Sequence, residues 1–172
     1  GGSQLRVPAD RVVSMADGGE QKQRSRKSTP QSVYDLRISL KGIRPSIRRT
    51  VRVPGNSSLL DVHEIIQTVM PWYDSHLHGS EFAGQRYAPD FPDARHSDDE
   101  FNEADHTLES LGIRENQRLY YVYDFGDTWT HVIRVGRIRS AEELSEEDRR
   151  LPRCTSGKRA APPEDCGGVY GY

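Results

Sequence analysis

Alternating apolar and polar positions mark the start of the ordered part of the chain. From Val33 to Lys41, apolar side chains occupy every second position, which predicts a strand with one buried face. Turn-forming residues follow at 42–46, and a second alternating run ends at Val53. These two runs predict a β-hairpin.

The next apolar pattern has helical spacing and defined ends. Ser58 followed by Asp61 is typical of a capping box at a helix N-terminus. Apolar residues then recur at helical spacing as far as Met70. Pro71 cannot donate a backbone hydrogen bond, so we expect the helix to end before it. The domain therefore opens strand–strand–helix.

The remaining elements follow from weaker patterns. We expect a short strand at 82–87 and an exposed acidic loop at 90–109, where eight acids face one base, with a helical turn near Leu108. Strands at 119–123 and 129–135 predict a second hairpin around a turn at 124–127. A short acidic helix at 141–150, capped by Ser140, precedes an irregular tail from Leu151. The predicted fold class is α+β, with a mixed or antiparallel sheet.

Composition adds a tail and excludes some classes of protein. The chain has 172 residues, 34% of them hydrophobic, and a mean hydropathy of −0.80, which indicates a disordered segment alongside one domain. We assign residues 1–32 to a disordered basic tail and 33–172 to the domain. No apolar run is long enough to cross a membrane, so no membrane partner is expected. Two cysteines are too few for a disulfide scaffold, which predicts a cytoplasmic protein with reduced thiols.

The last third of the chain concentrates the candidate catalytic residues. His131, on a strand face, is either a metal ligand or general base, or a hydrogen-bonded histidine that bridges Asp124 or Asp127 to the sheet. Glu164 and Asp165 either line a pocket or belong to a strap whose glycine pair allows close backbone approach. No phosphate-binding glycine loop and no nucleophile–base spacing is present, so a hydrolase or transferase lacks its minimum parts.

Metal ligation has only weak candidates. No cofactor is expected, because no Cys-x-x-Cys pair is present and both cysteines are expected to be buried, unreactive thiols. The alternative is a zinc ion held by one imidazole and two thiols, from His131, Cys154 and Cys166. A second candidate set pairs His76 and His78 with either His63 or the acidic loop. The alternative is that these histidines are ordinary solvated side chains.

Basic residues cluster in the first hairpin. Between positions 37 and 52 six bases occur without an acid. The candidate binding residues are Arg44, Arg48, Arg49 and Arg52. Together with Arg37 and Lys41, some of them are placed to form a phosphate-contacting stripe on the exposed face. The alternatives are a solvated sheet face, self-association or contact with an acidic protein, since the net charge of −2 gives no global attraction for nucleic acid.

Several segments together resemble one family, the plasmid pRiA4b Orf-three-like family, over residues 33–172. They lie at residues 34–40, 44–49, 72–77, 123–131 and 162–172, with a helix carrying His63 between them. The resemblance implies an α+β fold with a β-grasp-like mixed sheet, an association with plasmids and transposons, and no established biochemical activity.

Three positions depart from the family pattern. Arg48 stands where the family usually has Trp, Pro71 stands where it has Gly, and Gly79-Ser80 lengthens the segment after His78. Family members also tend to extend beyond the position of Tyr172, which implies either a fragment truncated at its C-terminus or a naturally short form.

The sequence thus predicts a non-catalytic interaction module linked to mobile genetic elements. It would bind a protein or a nucleic acid through the basic hairpin face. The alternative is a metal-dependent or otherwise unknown enzyme, with its site around His131 and the loop at 162–168. Partner identity and oligomeric state are left open.

Overall fold

A computed structural model describes residues 29–91 and 99–172. Within this part, eight strands, two helices and two short 3-10 turns follow in chain order: β1 (Ser32–Leu40), β2 (Arg48–Pro54), α1 (Leu59–Val69), β3 (His78–Phe82), β4 (Gln85–Ala88), β5 (Glu100–Asn102), a 3-10 turn (Glu103–Asp105), β6 (Arg118–Tyr123), β7 (Trp129–Ser140), a 3-10 turn (Ala141–Glu143), β8 (Arg153–Lys158) and α2 (Gly168–Gly171). The predicted tail lies outside the described residues as far as position 28, and β1 begins at Ser32.

The strands of this part form one mixed sheet in the order β5-β4-β3-β6-β7-β1-β2-β8. All neighbouring pairs are antiparallel except β4 with β5. Leu59, Val62 and Ile66 of α1 belong to the same buried cluster as the apolar side chains of the central strands. The α+β class and the mixed sheet are confirmed, whereas the β-grasp likeness stays a prediction. None of the helices in the described ranges is long and apolar enough to cross a membrane.

The opening hairpin forms as the alternation predicts. In β1, Leu36 and Ile38 point toward α1 and are buried, while Arg37 between them is exposed on the opposite face, which we call the outer face. Leu36 lies opposite Val51 in β2 and opposite Val135 in β7, so three apolar side chains meet across the centre of the sheet. Period-two burial therefore gives the sheet one apolar and one polar face.

The predicted helix ends are confirmed. The Ser58 hydroxyl accepts the backbone N–H of Asp61 at 3.0 Å, and the Asp61 carboxylate accepts the backbone N–H of Ser58 at 2.8 Å, which completes a capping box. The helix stops at Val69, with Met70 as its C-terminal cap, directly before Pro71.

The single strand predicted at 82–87 is wrong, because the chain forms a hairpin from β3 and β4. The turn residues Ala83 and Gly84 both have positive φ, at 50° and 79°, as a tight primed turn requires. Sequence periodicity missed β3 because its inward positions are polar: His78 and Ser80 are buried.

The acidic segment is not simply an exposed loop. Residues 92–98 lie outside the described part, but the remainder includes β5, a 3-10 turn and the buried side chains of Glu103 and Leu108. Glu103 is only 1% exposed, and its contact with His78 at 2.8 Å gives the buried carboxylate a partner. A charge count alone cannot distinguish such a partnered acid from solvated ones.

The C-terminal predictions need a similar correction. Ser140 caps only the 3-10 turn that starts at Ala141, with its hydroxyl accepting the N–H of Glu142 at 3.4 Å, and no longer helix follows. The tail called irregular contains β8, which pairs with β2. This strand is almost wholly exposed at the sheet edge, so it carries no apolar alternation to detect.

Replacing Ser58 by alanine tests the capping box. We expect Ser58→Ala to lower the free energy of unfolding by about 1 kcal/mol, because the backbone N–H of Asp61 loses its acceptor. Urea unfolding measures this change. Thr68→Ala near the other end of the helix is the control, since Thr68 is exposed, and it should change stability by less than about 0.5 kcal/mol. Equal effects of the two variants would contradict the assignment.

Candidate functional site

Three segments that the sequence singled out meet at one end of the sheet. They are the loop that follows α1, the β6–β7 turn and the C-terminal segment before α2. The indole N–H of Trp72 in the first segment donates to the carbonyl of Pro162 in the third at 2.9 Å. The Trp72 ring stacks on Tyr123 at 5.1 Å between centroids. We call this meeting point the junction.

Glu164 fastens the junction from the C-terminal side. The Tyr123 hydroxyl donates to the Glu164 carboxylate at 2.5 Å and accepts the backbone N–H of Ser75 at 2.9 Å. Burial, and then the bond to Glu164, raise the pKa of Tyr123 to about 12. Glu164 also accepts the backbone N–H of Tyr73 at 3.0 Å. Glu164 therefore ties the loop after α1 to the end of β6.

The β6–β7 turn is built on its two aspartates. Asp124 adopts φ of 59°, and one of its carboxylate oxygens accepts the N–H groups of Gly126 and Asp127 at 3.0 and 3.2 Å. Asp127 accepts the N–H of Gly167 at 3.2 Å. A Cβ at Gly168 would lie 2.4 Å from the Asp127 carbonyl oxygen, so only glycine fits there. The structure thus supports the expected strap with close backbone approach.

His76, Asp124 and Asp165 form a cluster at the solvent side of the junction. The Nε2 atom of His76 lies 2.7 Å from an oxygen of Asp165 and 3.6 Å from the second oxygen of Asp124. One ligand atom from each residue lies within 4.8 Å of the other two. The side chain of Asp165 is 70% exposed, that of His76 30% and that of Asp124 11%, so the cluster opens to solvent on the Asp165 side.

A second polar cluster lies beneath α1 and β3. The rings of His63 and His78 stack in parallel with centroids 3.5 Å apart. His63 contacts the Tyr121 hydroxyl at 2.6 Å through Nδ1 and Asp74 at 3.0 Å through Nε2, and His78 contacts Glu103 at 2.8 Å. Burial, and then the neighbouring His78, lower the pKa of His63, although Asp74 partly opposes this.

His131 is fully buried beneath the sheet. It has no exposed surface, and its Nδ1 atom lies 2.9 Å from the Trp129 carbonyl oxygen, not near Asp124 or Asp127 as one alternative proposed. Its ring lies edge-on to Trp72 with centroids 5.4 Å apart. Burial lowers the pKa of His131 to about 4. Solvent cannot reach this imidazole, which argues against a role as general base.

The sequence-predicted zinc set is not brought together. Cys154 lies exposed on β8, where its thiol donates to the Ser156 carbonyl at 3.3 Å, and Cys166 is half-buried in the C-terminal segment. Both are free thiols. Neither cysteine joins His131 in a metal-ligating group within the described residues. The expectation of buried thiols also fails for Cys154.

The four candidate binding arginines divide into two pairs. Arg44 and Arg48 are exposed. Arg49 donates to the Val69 carbonyl at 3.0 Å and belongs to the packing between β2 and α1. Arg52 contacts Asp35 at 2.9 Å and Asp148 at 2.7 Å, so its charge is neutralised within the molecule.

Sequence reasoning found some of these residues and missed others. It named Asp124 and Asp165, and it named His76 together with His78. It did not connect the two aspartates with His76. Tyr121 and Tyr123 were taken only as strand residues, although their inward positions in β6 could have placed their hydroxyls beside the histidines. Nothing in the local sequence signals that Glu103 would be buried.

The fold and the junction define an α+β protein whose motif residues converge at one end of a mixed sheet. The family model described as plasmid pRiA4b ORF-3-like protein matches residues 32–172. The uncharacterized protein y4hQ of Sinorhizobium fredii (strain NBRC 101917 / NGR234) is 33% identical over 142 residues, which cover 82% of this chain and 70% of that protein.

A solved structure shows the same fold. The crystal structure of MM3350, a protein of unknown function from Methanosarcina mazei Go1, has a TM-score of 0.72 and 40% sequence identity, and the match covers 84% of this chain and 79% of that chain. The chain therefore belongs to the plasmid pRiA4b ORF-3-like family, which confirms the resemblance. Neither relative's name states an activity.

The burial of His131 predicts how the free energy of unfolding depends on pH. Its ring should stay neutral at about pH 5.5, whereas an unfolded chain protonates the same ring at about pH 6.5. Between about pH 6.5 and 4 the unfolded state binds more protons, so this group lowers the free energy of unfolding as the pH falls through that window. NMR titration of the imidazole resonances measures the pKa directly. Protonation of His131 above about pH 6 would contradict its burial.

Proposed function

We propose that the protein binds single-stranded nucleic acid across the outer face of its sheet. One observation carries this proposal: five exposed cations share that face without a carboxylate partner among the described residues. We call this set the basic face, and it comprises Arg37, Arg48, Arg118, Arg134 and Lys158. Three of the five, Arg118, Arg134 and Lys158, lie in strands that sequence analysis did not combine with the first hairpin.

The strand register places these cations side by side. Arg134 of β7 lies directly opposite Arg118 of β6 and Arg37 of β1, which gives a row of three arginines across three strands. Arg48 of β2 lies opposite Lys158 of β8 in the same way. Neighbouring strands are only about 4.8 Å apart, and like charges directly opposite each other destabilise a sheet. A bound polyanion would remove this repulsion.

The other half of the same face shows the opposite arrangement. Asp35 contacts Arg52 at 2.9 Å and Arg139 at 2.7 Å, and Asp148 contacts Arg153 at 2.6 Å. Burial alone would raise the pKa of Asp35, but the hydrogen bonds from the two arginines outweigh it and lower that pKa. Cations are thus neutralised internally on one half of the outer face and left for a partner on the other.

The shape of the face favours a single strand over a duplex. A major groove admits a helix or a two-stranded ribbon, and a sheet of this width does not fit it. Single-stranded nucleic acid binds instead to positively charged surfaces that carry aromatic rings for base stacking. Tyr120 supplies such a ring, since it is 37% exposed and stands two residues after Arg118 on the same side of β6.

This proposal keeps the class predicted from the sequence and changes its residues. Arg44 and Arg48 remain available, whereas Arg49 and Arg52 are engaged within the fold. Catalysis around His131 has less support, because that imidazole is buried. The association with mobile genetic elements stays a prediction.

Neutralising the arginine row tests the proposal. We expect the triple variant Arg37→Gln, Arg118→Gln, Arg134→Gln to bind a fluorescent single-stranded oligonucleotide more weakly. The slope of log affinity against log salt concentration should also become shallower by about 2, because three phosphate contacts at about 0.7 each are lost. Fluorescence anisotropy at several salt concentrations measures both quantities.

A matched triple variant supplies the control. Arg114→Gln, Arg149→Gln and Arg150→Gln remove three exposed arginines that are not part of the basic face, and they should leave affinity and salt slope nearly unchanged. The arginine-row variant should melt at the same temperature as the wild type or higher, since repulsion is relieved. Equal losses of binding in both variants would show that affinity depends only on the net charge of the protein. That result would contradict binding at a defined face.

Tyr120→Ala separates base stacking from charge. We expect it to weaken binding of the oligonucleotide by about 1–3 kcal/mol without changing the salt slope, because a stacked base loses its platform but no phosphate contact is removed. Exposed Tyr73→Ala, on the loop after α1, is the control and should bind normally. A changed salt slope in Tyr120→Ala would argue against stacking.

A further inference from the structure

The cluster of His76, Asp124 and Asp165 carries an inference that goes beyond nucleic-acid binding. We infer that it is a binding site for a divalent first-row transition metal ion. Sequence analysis considered His76 as a metal ligand only together with His78 and either His63 or the acidic loop, and it placed its zinc candidates at His131, Cys154 and Cys166. None of its three residues belongs to the basic face, so the inference stands independently of nucleic-acid binding.

The first observation is the state of the His76 ring nitrogen. Its Nε2 atom is buried and has no hydrogen-bond partner within the described part of the chain, although an Asp165 oxygen lies 2.7 Å away. At that distance only an unfavourable direction prevents a hydrogen bond, so the oxygen lies off the axis along which the nitrogen presents its proton or lone pair. An ordinary histidine–aspartate ion pair would align this axis with the oxygen. A shared cation, in contrast, needs donor atoms that converge on a common point without bonding to one another.

The second observation is that the donors are held in place. One oxygen of Asp124 is fixed by the N–H groups of Gly126 and Asp127, which leaves its other oxygen facing His76. The His76 ring stands edge-on to Tyr123, with centroids 5.7 Å apart. Glu164 accepts a hydrogen bond from the Tyr123 hydroxyl, and this contact fixes the chain directly before Asp165. Hydrogen bonds of this kind orient ligands in metal sites.

The neighbouring histidine cluster provides a contrast. His63, Asp74 and His78 also lie within ligand distance of one another. There, however, both nitrogens of His63 have partners, in Tyr121 and Asp74, and Nε2 of His78 is paired with Glu103. Hydrogen bonds thus account for the second cluster, whereas they leave His76 unexplained.

The donor set indicates the class of metal. Imidazole nitrogen suits zinc, iron and nickel, and carboxylate oxygen also suits manganese, so one imidazole with two carboxylates favours ions such as Zn²⁺ or Mn²⁺ over Ca²⁺. Three protein ligands leave coordination positions for water or an incoming oxygen ligand, as in catalytic and not structural zinc sites. Asp165 is 70% exposed, so those positions would be accessible from solvent.

The test is titration of the untagged, chelator-treated full chain with ZnCl₂ and, separately, MnCl₂. Isothermal calorimetry and metal analysis after gel filtration should give one bound ion per chain for at least one of the two metals. His76→Ala and Asp165→Asn should each weaken that binding about tenfold or more, since each removes a ligand. Asp165 is largely exposed, so its variant is expected to fold even if His76→Ala does not.

Matched variants locate the site. His106→Ala and Asp105→Asn remove the same residue types outside both clusters and should bind the metal like the wild type. Asp74→Asn tests the neighbouring histidine cluster and should also bind normally. The inference is overturned if neither metal binds the wild type, if Asp165→Asn binds unchanged, or if Asp74→Asn abolishes binding while Asp165→Asn does not. Oligonucleotide binding by Asp165→Asn should be unaffected, which keeps this test separate from that of the basic face.

Discussion

The hydrogen bond between Tyr123 and Glu164 is the constraint on which the junction depends. Tyr123 is fully buried at the end of β6, and a buried hydroxyl without a partner is costly. Glu164 supplies the partner from a segment 41 residues later in the chain. Because Asp165 follows directly, the same contact brings a second carboxylate to His76. Trp72 completes the junction by stacking on Tyr123 and donating to Pro162.

The sheet separates two chemistries on its two faces. Successive side chains of a strand point in opposite directions, so β6 presents Arg118 to the outer face and Tyr121 and Tyr123 to the inner one. The outer face collects positive charge from five strands, whereas the inner face and its end collect histidines and carboxylates. The proposed polyanion-binding surface and the proposed metal site therefore lie apart, so their charges do not cancel each other.

The fold was predictable wherever an element buries one face, because one-sided burial gives the apolar residues a regular spacing along the sequence. The opening hairpin, α1 and the β6–β7 hairpin each bury one face, and their alternation or helical spacing was sufficient. The hairpin of β3 and β4 was missed because it buries polar residues such as His78, and β8 was missed because it buries almost nothing. In both cases the strand is fixed by its neighbours in the sheet and not by its own pattern.

The candidate site was only half predictable for a related reason. Asp124 and Asp165 stand out because turns and glycine-rich loops concentrate chemistry, but their common partner is set by the path of the C-terminal segment across the junction. Arg37, Arg118 and Arg134 are far apart in sequence, and only the strand order makes them a row. His131 stood out because of its motif, yet the fold buries it completely, away from Asp124 and Asp127.

NMR of the arginine side-chain N–H resonances during titration with a single-stranded oligonucleotide tests binding at the basic face most directly. We expect the signals of Arg37, Arg118 and Arg134 to shift, while those of Arg52 and Arg139, which are paired with Asp35, stay in place. Shifts confined to the paired arginines, or no shift in any of the three, would contradict it.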